Sequence, residues 1–241
     1  MAKILFTPFT KTQMGGVEGL GGRLLDRTYT VPATGQRKTV GFSRDEQKGE
    51  RVDRDTPGEK LFAGLLASND ELYINAHGAA HCEFVANTKD PKAPEAVKVT
   101  LGDLVAQLKA FGLSTQTEAK IKLWVCESAI PNQITKKSLA QVFSEQMYAA
   151  GFHKCYIYGY VQRLGADYNG EIMRDKLPHK HVHDRKGPDD WASRYRRRYQ
   201  NGIEIPENPN LERVESRKAE VTRDTYWAGL KTPVLRKSLR G

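Results

Sequence analysis

Hydrophobic positions follow two spacings along the chain, and each spacing predicts one type of element. Short runs rich in β-branched and aromatic residues predict buried strands, whereas apolar residues three or four positions apart predict amphipathic helices. Two alternating segments within 27–42 predict a hairpin, and the mostly charged or polar residues 43–55 predict an exposed loop. The strands are expected at residues 2–9, 71–76, 120–126 and 154–161, and the helices at 56–68, 100–111 and 139–150.

Between residues 56 and 161 the predicted order is helix, strand, helix, strand, helix, strand. This alternation predicts an α/β fold with a mostly parallel sheet flanked by helices on both faces. Crossovers in such folds are nearly always right-handed, so successive strands tend to be parallel neighbours. From about residue 163 the sequence no longer predicts a regular alternation of helices and strands. We expect residues 163–241 to form an irregular, basic C-terminal extension packed on the domain of residues 1–162.

The charge and the cysteine count narrow the function classes. The 241 residues carry a formal net charge of +9, which favours acidic partners such as nucleic acid, anionic headgroups or polyphosphate without choosing among them. No apolar run reaches the length of about eighteen residues that a membrane span needs. Three cysteines in a chain of this length argue against a disulfide framework and favour a reducing compartment.

Two reactive residues close predicted strands. His77 ends the segment ELYINAH, and Cys126 ends the segment KIKLWVC. Open parallel sheets bind and react at the carboxyl ends of their strands, and neighbouring strands lie about 5 Å apart. If these two strands are neighbours, the imidazole and the thiol can converge on one bound peptide bond.

An imidazole beside a cysteine supplies the base that the thiol needs to lose its proton. A free thiol, with a pKa of about 8.5, is mostly protonated at neutral pH, whereas the thiolate is the nucleophile. His77 would accept that proton and later give one to a leaving amine. Unpaired N–H groups in the connection from Cys126 to the next helix would stabilise a thiolate. Gly78 lets the backbone approach a substrate closely, and its N–H is a candidate oxyanion donor.

A hydrophobic strand ending in His-Gly, followed 49 residues later by a hydrophobic strand ending in Cys, resembles the pattern of the caspase-like clan of cysteine peptidases (clan CD). That clan includes caspases, gingipains, clostripain, separase and the self-cleaving protease domains of large bacterial toxins. The resemblance covers residues 56–161. It implies a caspase/flavodoxin-like catalytic domain in residues 1–162, with His77 as general acid/base, Cys126 as nucleophile and the Gly78 N–H as oxyanion donor. The sequence departs from caspases proper, because VCES stands where they have QACRG, and it is more similar to divergent bacterial toxin and effector members.

Other polar residues are candidates for the cleft around this pair. His81 follows His77 closely enough to line it. An acidic residue that would hold a basic substrate side chain is Glu127, Asp167 or Asp175, and the sequence does not rank them. The cleavage-site preference therefore stays open.

The segment HKHVHD contains three histidines, which are candidate ligands for a metal ion. On a strand, His179, His181 and His183 would share one face, and three imidazoles can bind zinc. The lysines and arginines around them favour a solvated loop instead. We therefore assign no metal site and expect that catalysis requires no metal or organic cofactor.

The sequence leaves two alternative functions open. In one, the protein binds nucleic acid or another polyanion through its basic last third, and Cys126 is structural. In the other, it is a catalytically inactive caspase-fold module that binds a protein partner. The basic cluster relevant to the first alternative comprises Arg194, Arg196, Arg197 and Arg198 with Tyr195 and Tyr199.

For the peptidase hypothesis, the partner is a protein or peptide substrate. The resemblance implies a bacterial effector or toxin setting, with a cytoplasmic location or delivery into the cytosol of a host or target cell. It also leaves open an anionic small-molecule activator such as a polyphosphate, for which the chain has ample lysine and arginine.

Overall fold

The computed structural model describes residues 3–13, 27–30, 37–40, 50–54, 60–80, 82–165, 181–183 and 190–206, and the structural statements below concern these residues. Single 3-10 turns span Lys11–Gln13 and Ala192–Tyr195. The α-helices are α1 (Leu101–Ala110) and α2 (Leu139–Ala149). The strands are β1 (Lys3–Thr7), β2 (Arg27–Thr30), β3 (Arg37–Val40), β4 (Glu50–Asp53), β5 (Glu71–Asn75), β6 (Phe84–Ala86), β7 (Lys98–Thr100), β8 (Lys120–Trp124), β9 (Tyr156–Tyr160), β10 (Arg163–Gly165), β11 (His181–His183), β12 (Asp190–Trp191), β13 (Arg196–Gln200) and β14 (Ile203–Ile205).

Seven strands form the central sheet, in the order β14-β13-β9-β8-β5-β1-β4. The strands from β4 to β9 in that order are parallel, whereas β13 and β14 are antiparallel to their neighbours. The predicted mostly parallel sheet is thereby confirmed, with β5, β8 and β9 side by side. The described residues also form three small antiparallel sheets, β2-β3, β6-β7 and β10-β11-β12, and the first of these is the predicted hairpin.

The two faces of the central sheet carry different clusters of buried side chains. Ile74 of β5 lies in the larger core, together with Leu104 of α1 and Phe143 of α2. Tyr73, which precedes Ile74, belongs with Trp124 of β8 to a second cluster on the opposite face. Both described α-helices therefore pack against the same face. The prediction of helices on both faces is not confirmed by this part of the chain.

The first predicted helix is wrong in its described part. The start of the helix expected over 56–68 lies outside the described residues, and the remainder forms successive turns. These turns are closed by short-range bonds such as Leu65 N to Phe62 O, at 3.0 Å. The Asp70 carboxylate then accepts a hydrogen bond from Leu66 N at 3.1 Å, which satisfies the backbone without a helix.

The other two predicted helices are confirmed, and both begin at a side-chain cap. The Thr100 hydroxyl accepts from Asp103 N at 3.1 Å and so starts α1. The Ser138 hydroxyl accepts from Gln141 N at 3.1 Å and starts α2. Gly151, just after α2, has a φ of +95°, a left-handed conformation that ends a helix at little cost for glycine.

Two segments that the sequence predicts as loops contain strands. The charged segment 43–55 is predicted to be exposed, but β4 within it pairs in parallel with β1. The segment 86–98, whose prolines, asparagine, aspartate and lysines predict a surface loop, contributes its two ends to the antiparallel pair β6-β7. β6 and β7 have only three residues each, which is too short for alternation to reveal them. β4 was missed because three of its four residues are charged.

Candidate active site

His77 and Cys126 follow the carboxyl ends of β5 and β8, which are adjacent and parallel. The last residue pair in the register of these strands is Asn75 with Trp124, so each reactive residue lies two positions beyond that pair. Side chains alternate between the faces of a strand, and Cys126 packs against the cluster that contains Trp124. The expectation that the two strands are neighbours is thereby confirmed. The catalytic roles of the two residues stay predictions.

The backbone of His77 is fixed by a bridge to β6. The His77 N–H donates to Ala86 O at 2.8 Å, and the His77 carbonyl accepts from Ala86 N at 2.9 Å. His77 is only 6% exposed. The backbone of His77 is therefore fixed on both sides, and the residue lies in a largely desolvated environment, where hydrogen bonds and charges interact more strongly than in water.

Gly78 brings the end of β5 against β8. A Cβ atom at Gly78 would lie 2.5 Å from Val125 Cγ1, well inside the usual contact distance of about 3.5–4.0 Å between carbon atoms. Val125 directly precedes Cys126 and is fully buried. A side chain at position 78 would thus push against the residue next to the thiol, so the structure requires glycine here.

The Cys126 thiol is held at the edge of the second cluster by the backbone of β10. Its Sγ accepts a hydrogen bond from Leu164 N at 3.4 Å and lies 4.0 Å from Leu164 O. Burial raises the pKa of the thiol above its ordinary value, whereas the Leu164 N–H and the Arg163 and Lys89 cations act in the opposite direction. The thiol is therefore predominantly protonated at neutral pH and needs a base to become a nucleophile.

The first N–H groups in the connection from Cys126 to α2 are paired, whereas the sequence led us to expect them unpaired. The Glu127 N–H donates to Gln162 O at 3.1 Å, and the Ala129 N–H donates to Tyr160 O at 2.9 Å. These donors are therefore already paired with backbone carbonyls of the fold. The N–H that contacts the sulfur belongs instead to β10, which the sequence does not predict as a strand.

Glu127 is the described member of the acidic candidates. It adopts a left-handed conformation with a φ of 56°, which is uncommon for residues other than glycine. Its carboxylate lies 3.6 Å from Arg163 Nε. An arginine already neutralises part of its charge, so a basic substrate side chain would compete with Arg163 for this carboxylate.

Several other candidate residues fall outside what the structure describes. His181 and His183 lie in β11, whose backbone pairs with that of β10, and their side chains are not described. Within the described ranges no group of three or more histidine, cysteine, aspartate or glutamate side chains is arranged to hold a metal ion. The candidates outside the described residues are His81, Asp167, Asp175 and His179.

The remaining cysteines are buried free thiols. Cys82 and Cys155 are 8% and 3% exposed. Burial raises the pKa of the Cys155 thiol to about 12, so this cysteine is expected to be inert toward electrophiles. Cys126 is the more exposed of the three.

The basic cluster lies at the start of β13 and in the 3-10 turn that precedes it. Arg196 lies over the Tyr158 ring at 5.3 Å, and Arg198 lies over the Tyr156 ring at 5.1 Å. Arg197, on the other side of β13, pairs with a glutamate of β14 at 2.6 Å. These arginines therefore make contacts within the sheet that join β9, β13 and β14.

A buried polar group that the sequence analysis missed lies on the same sheet face as Cys126. Lys122 Nζ contacts a Glu71 carboxylate oxygen and donates to Tyr73 Oη at 2.9 Å. Tyr73 Oη donates to the other Glu71 oxygen at 3.0 Å. The signal was present in ELYIN and KIKLW, where residues with a polar group alternate with purely aliphatic ones: Glu71 and Tyr73 in the first strand, and Lys120 and Lys122 in the second.

Burial of Lys122 predicts a specific dependence of stability on pH. Desolvation lowers the pKa of Lys122 from 10.5 to about 8, although Glu71 acts in the opposite direction. The unfolded chain therefore binds this proton more tightly, so its charge destabilises the folded state at low pH and this penalty fades as the pH rises from about 8. Urea unfolding is expected to show wild-type stability rising from pH 8 toward pH 10 relative to Lys122→Met.

The matched control is Lys137→Met, which removes an exposed lysine that pairs with Glu145. Its stability difference from wild type should not change over that range. Burial raises the pKa of Tyr73 above its ordinary value of 10.0, so the folded state holds this proton more tightly than the unfolded chain does. Tyrosine ionisation therefore lowers stability only above about pH 10, where the unfolded tyrosine loses its proton. The prediction is contradicted if the free energy of unfolding changes with pH in the same way for wild type and for Lys122→Met.

Comparison with known proteins assigns no family to this chain. No protein-family model matches it, and no curated protein matches it in sequence. None of the described helices is long and apolar enough to cross a membrane. The likeness to caspase-like peptidases therefore rests on the two strand ends and their spacing alone.

Proposed function

We propose that this protein is a cysteine endopeptidase in which Cys126 is the nucleophile and His77 is the general acid and base. The observation that carries the proposal is the β5-β8 register, in which both residues follow the pair Asn75 and Trp124 by two positions. A nucleophile and a base on adjacent strand ends can reach one scissile bond. The substrate is a protein or peptide, and its sequence stays open.

The reaction would proceed through a thioester. The Cys126 thiol proton passes to His77 as Sγ adds to the scissile carbonyl carbon, and the oxyanion accepts a hydrogen bond from the Gly78 N–H. The C–N bond then breaks as His77 gives the proton to the leaving amine. Water next adds to the thioester carbonyl and loses a proton to His77, which returns it to the departing sulfur and releases the carboxylic acid product.

The environment of the thiol is consistent with proton transfer during attack. Because burial raises the pKa of Cys126, a stable thiolate is disfavoured at neutral pH, and removal of the proton by His77 becomes the decisive step. The Leu164 N–H, 3.4 Å from Sγ, would stabilise the negative charge that develops on sulfur.

The test of the proposal is site-resolved alkylation. The folded protein is treated with sub-stoichiometric iodoacetamide near neutral pH, and the modified cysteine is mapped by mass spectrometry in wild type and His77→Ala. Selective labelling of Cys126 is expected, with a fall of about tenfold or more in its rate in His77→Ala, because the buried thiol depends on that base.

His153→Ala is the matched control, since His153 is exposed and makes an edge-to-face contact with the Tyr148 ring. It should leave Cys126 labelling unchanged. Labelling of Cys82 or Cys155 in place of Cys126, or a rate independent of His77, would count against the peptidase. If added inorganic polyphosphate left that adverse result unchanged, an anionic activator would be excluded as its explanation, and the non-catalytic alternatives would become the better hypotheses.

A further inference from the structure

The β8-β9 ladder ends before Cys126, and Ser128 fills the gap. The last paired residues of the two strands are Lys122 and Tyr158. Beyond them, the Ser128 hydroxyl accepts a hydrogen bond from Tyr160 N at 3.0 Å and lies 3.5 Å from Leu123 O. A side chain thus takes the place of the backbone partner that the separated strands no longer provide.

The chain reverses direction directly after Cys126. Glu127 takes up the left-handed conformation, with a φ of 56°, and its N–H donates to Gln162 O at 3.1 Å. Ala129 N then donates to Tyr160 O at 2.9 Å. The segment after Cys126 therefore runs back along the end of β9, and the thiol lies at the start of this reversal.

Ser128 also joins this reversal to the helix layer. Its carbonyl accepts from Ala140 N, in the first turn of α2, at 2.8 Å. The residue is fully buried, with 0% of its surface exposed. One side chain and one carbonyl thus connect β8, β9 and α2 at a point two residues from the sulfur.

We infer that Ser128 is a positioning residue for Cys126, and this inference rests on the proposed function. Its hydroxyl fixes the turn that carries the thiol, so Sγ keeps one orientation toward the substrate carbonyl and toward His77. Removing the hydroxyl leaves the buried Tyr160 N–H without its acceptor. The turn then relaxes, and the reacting atoms spend less time in line for attack.

The experiment compares Ser128→Ala with Ser144→Ala. Ser144 is a matched control because its hydroxyl is also buried and accepts from a backbone N–H, that of Gly202, at 3.1 Å. Kinetics are measured on the peptide cleaved fastest in a synthetic peptide library. Ser128→Ala should lower kcat by about tenfold to a hundredfold with KM nearly unchanged, whereas Ser144→Ala should change kcat by about twofold at most.

Two further measurements separate positioning from loss of folding. Thermal unfolding and circular dichroism give the folded fraction of each variant at the assay temperature, and kcat is expressed per folded molecule. The iodoacetamide rate at Cys126 is then recorded against pH, where Ser128→Ala should lose the labelling near neutral pH that depends on His77. Ser128→Thr keeps the hydroxyl and should recover most of the rate, and Ser128→Cys serves if threonine does not fit.

The outcomes distinguish this inference from the proposed function. Activity that survives Cys126→Ala would overturn the peptidase itself. A Cys126-dependent activity with equal kcat per folded molecule in Ser128→Ala and Ser144→Ala would overturn the inference alone. The inference also fails if Ser128→Thr and Ser128→Cys both fold and neither exceeds Ser128→Ala in rate.

Discussion

Cys126→Ala is expected to lower peptide cleavage by about a thousandfold or more, because it removes the only atom that would bond to the scissile carbonyl. His77→Ala should lower the cleavage rate by a similar factor. Residues that act as one unit are strongly non-additive, so the double variant should be no slower than the slower single variant. Cleavage of a synthetic peptide library, followed by mass spectrometry, measures all three rates.

Cys155→Ala is the matched control for this series, because it removes a buried thiol of the core and leaves the strand ends untouched. It should retain nearly wild-type activity at temperatures at which it is folded. Equal activity of Cys126→Ala and Cys155→Ala would end the peptidase proposal. An additive loss in the double variant would mean that His77 and Cys126 act in separate steps.

Gly78→Ala is expected to disable the site by steric displacement. Its new methyl group would lie 2.5 Å from Val125 Cγ1, so the end of β5 and the residue before Cys126 must move apart. Overpacking of this kind costs about 1–3 kcal/mol of stability. A displacement near 1 Å at the reacting groups lowers the rate by about a hundredfold. Denaturant unfolding and peptide cleavage test the two effects separately.

Gly64→Ala is the control for glycine replacement as such, because no atom of the described residues, apart from its chain neighbours, lies within 4 Å of a Cβ placed there. It should change neither activity nor stability appreciably. Val125→Ala combined with Gly78→Ala removes the opposing methyl group and should recover part of the cleavage rate. If Gly78→Ala and Gly64→Ala changed the cleavage rate and the stability equally, the close contact between Gly78 and Val125 would not be needed for activity.

The sequence predicted β1, β5, β8 and β9 of the parallel sheet well, because these strands are rich in apolar residues and most of their side chains are buried on both faces. Tyr73 and Ile74 illustrate this, since they face opposite clusters and are both almost fully buried. Strands at the margins escaped prediction. β4 and β10 have four and three residues, and their positions are determined by pairing with neighbours far away in the chain.

The candidate site was predictable only where it depends on strand ends. His77, Gly78 and Cys126 stand directly after apolar runs, so the parallel arrangement alone puts them at one edge. The Leu164 N–H and the Ser128 hydroxyl could not be anticipated in the same way. Their contacts arise from a chain reversal and a short strand, which long-range pairing creates and local periodicity does not report.

The β5-β8 register has a consequence for recognising distant relatives of this chain. Asn75 stands level with Trp124, and this pairing is independent of how many residues connect the two strands. Insertions in the β6-β7 hairpin or before α1 would leave His77 and Cys126 opposite each other. A single insertion within β5 or β8 would instead turn one of the two side chains to the helix-covered face. The count of residues along each strand, and not the interval of 49 between the two, is therefore the quantity that a related sequence must preserve.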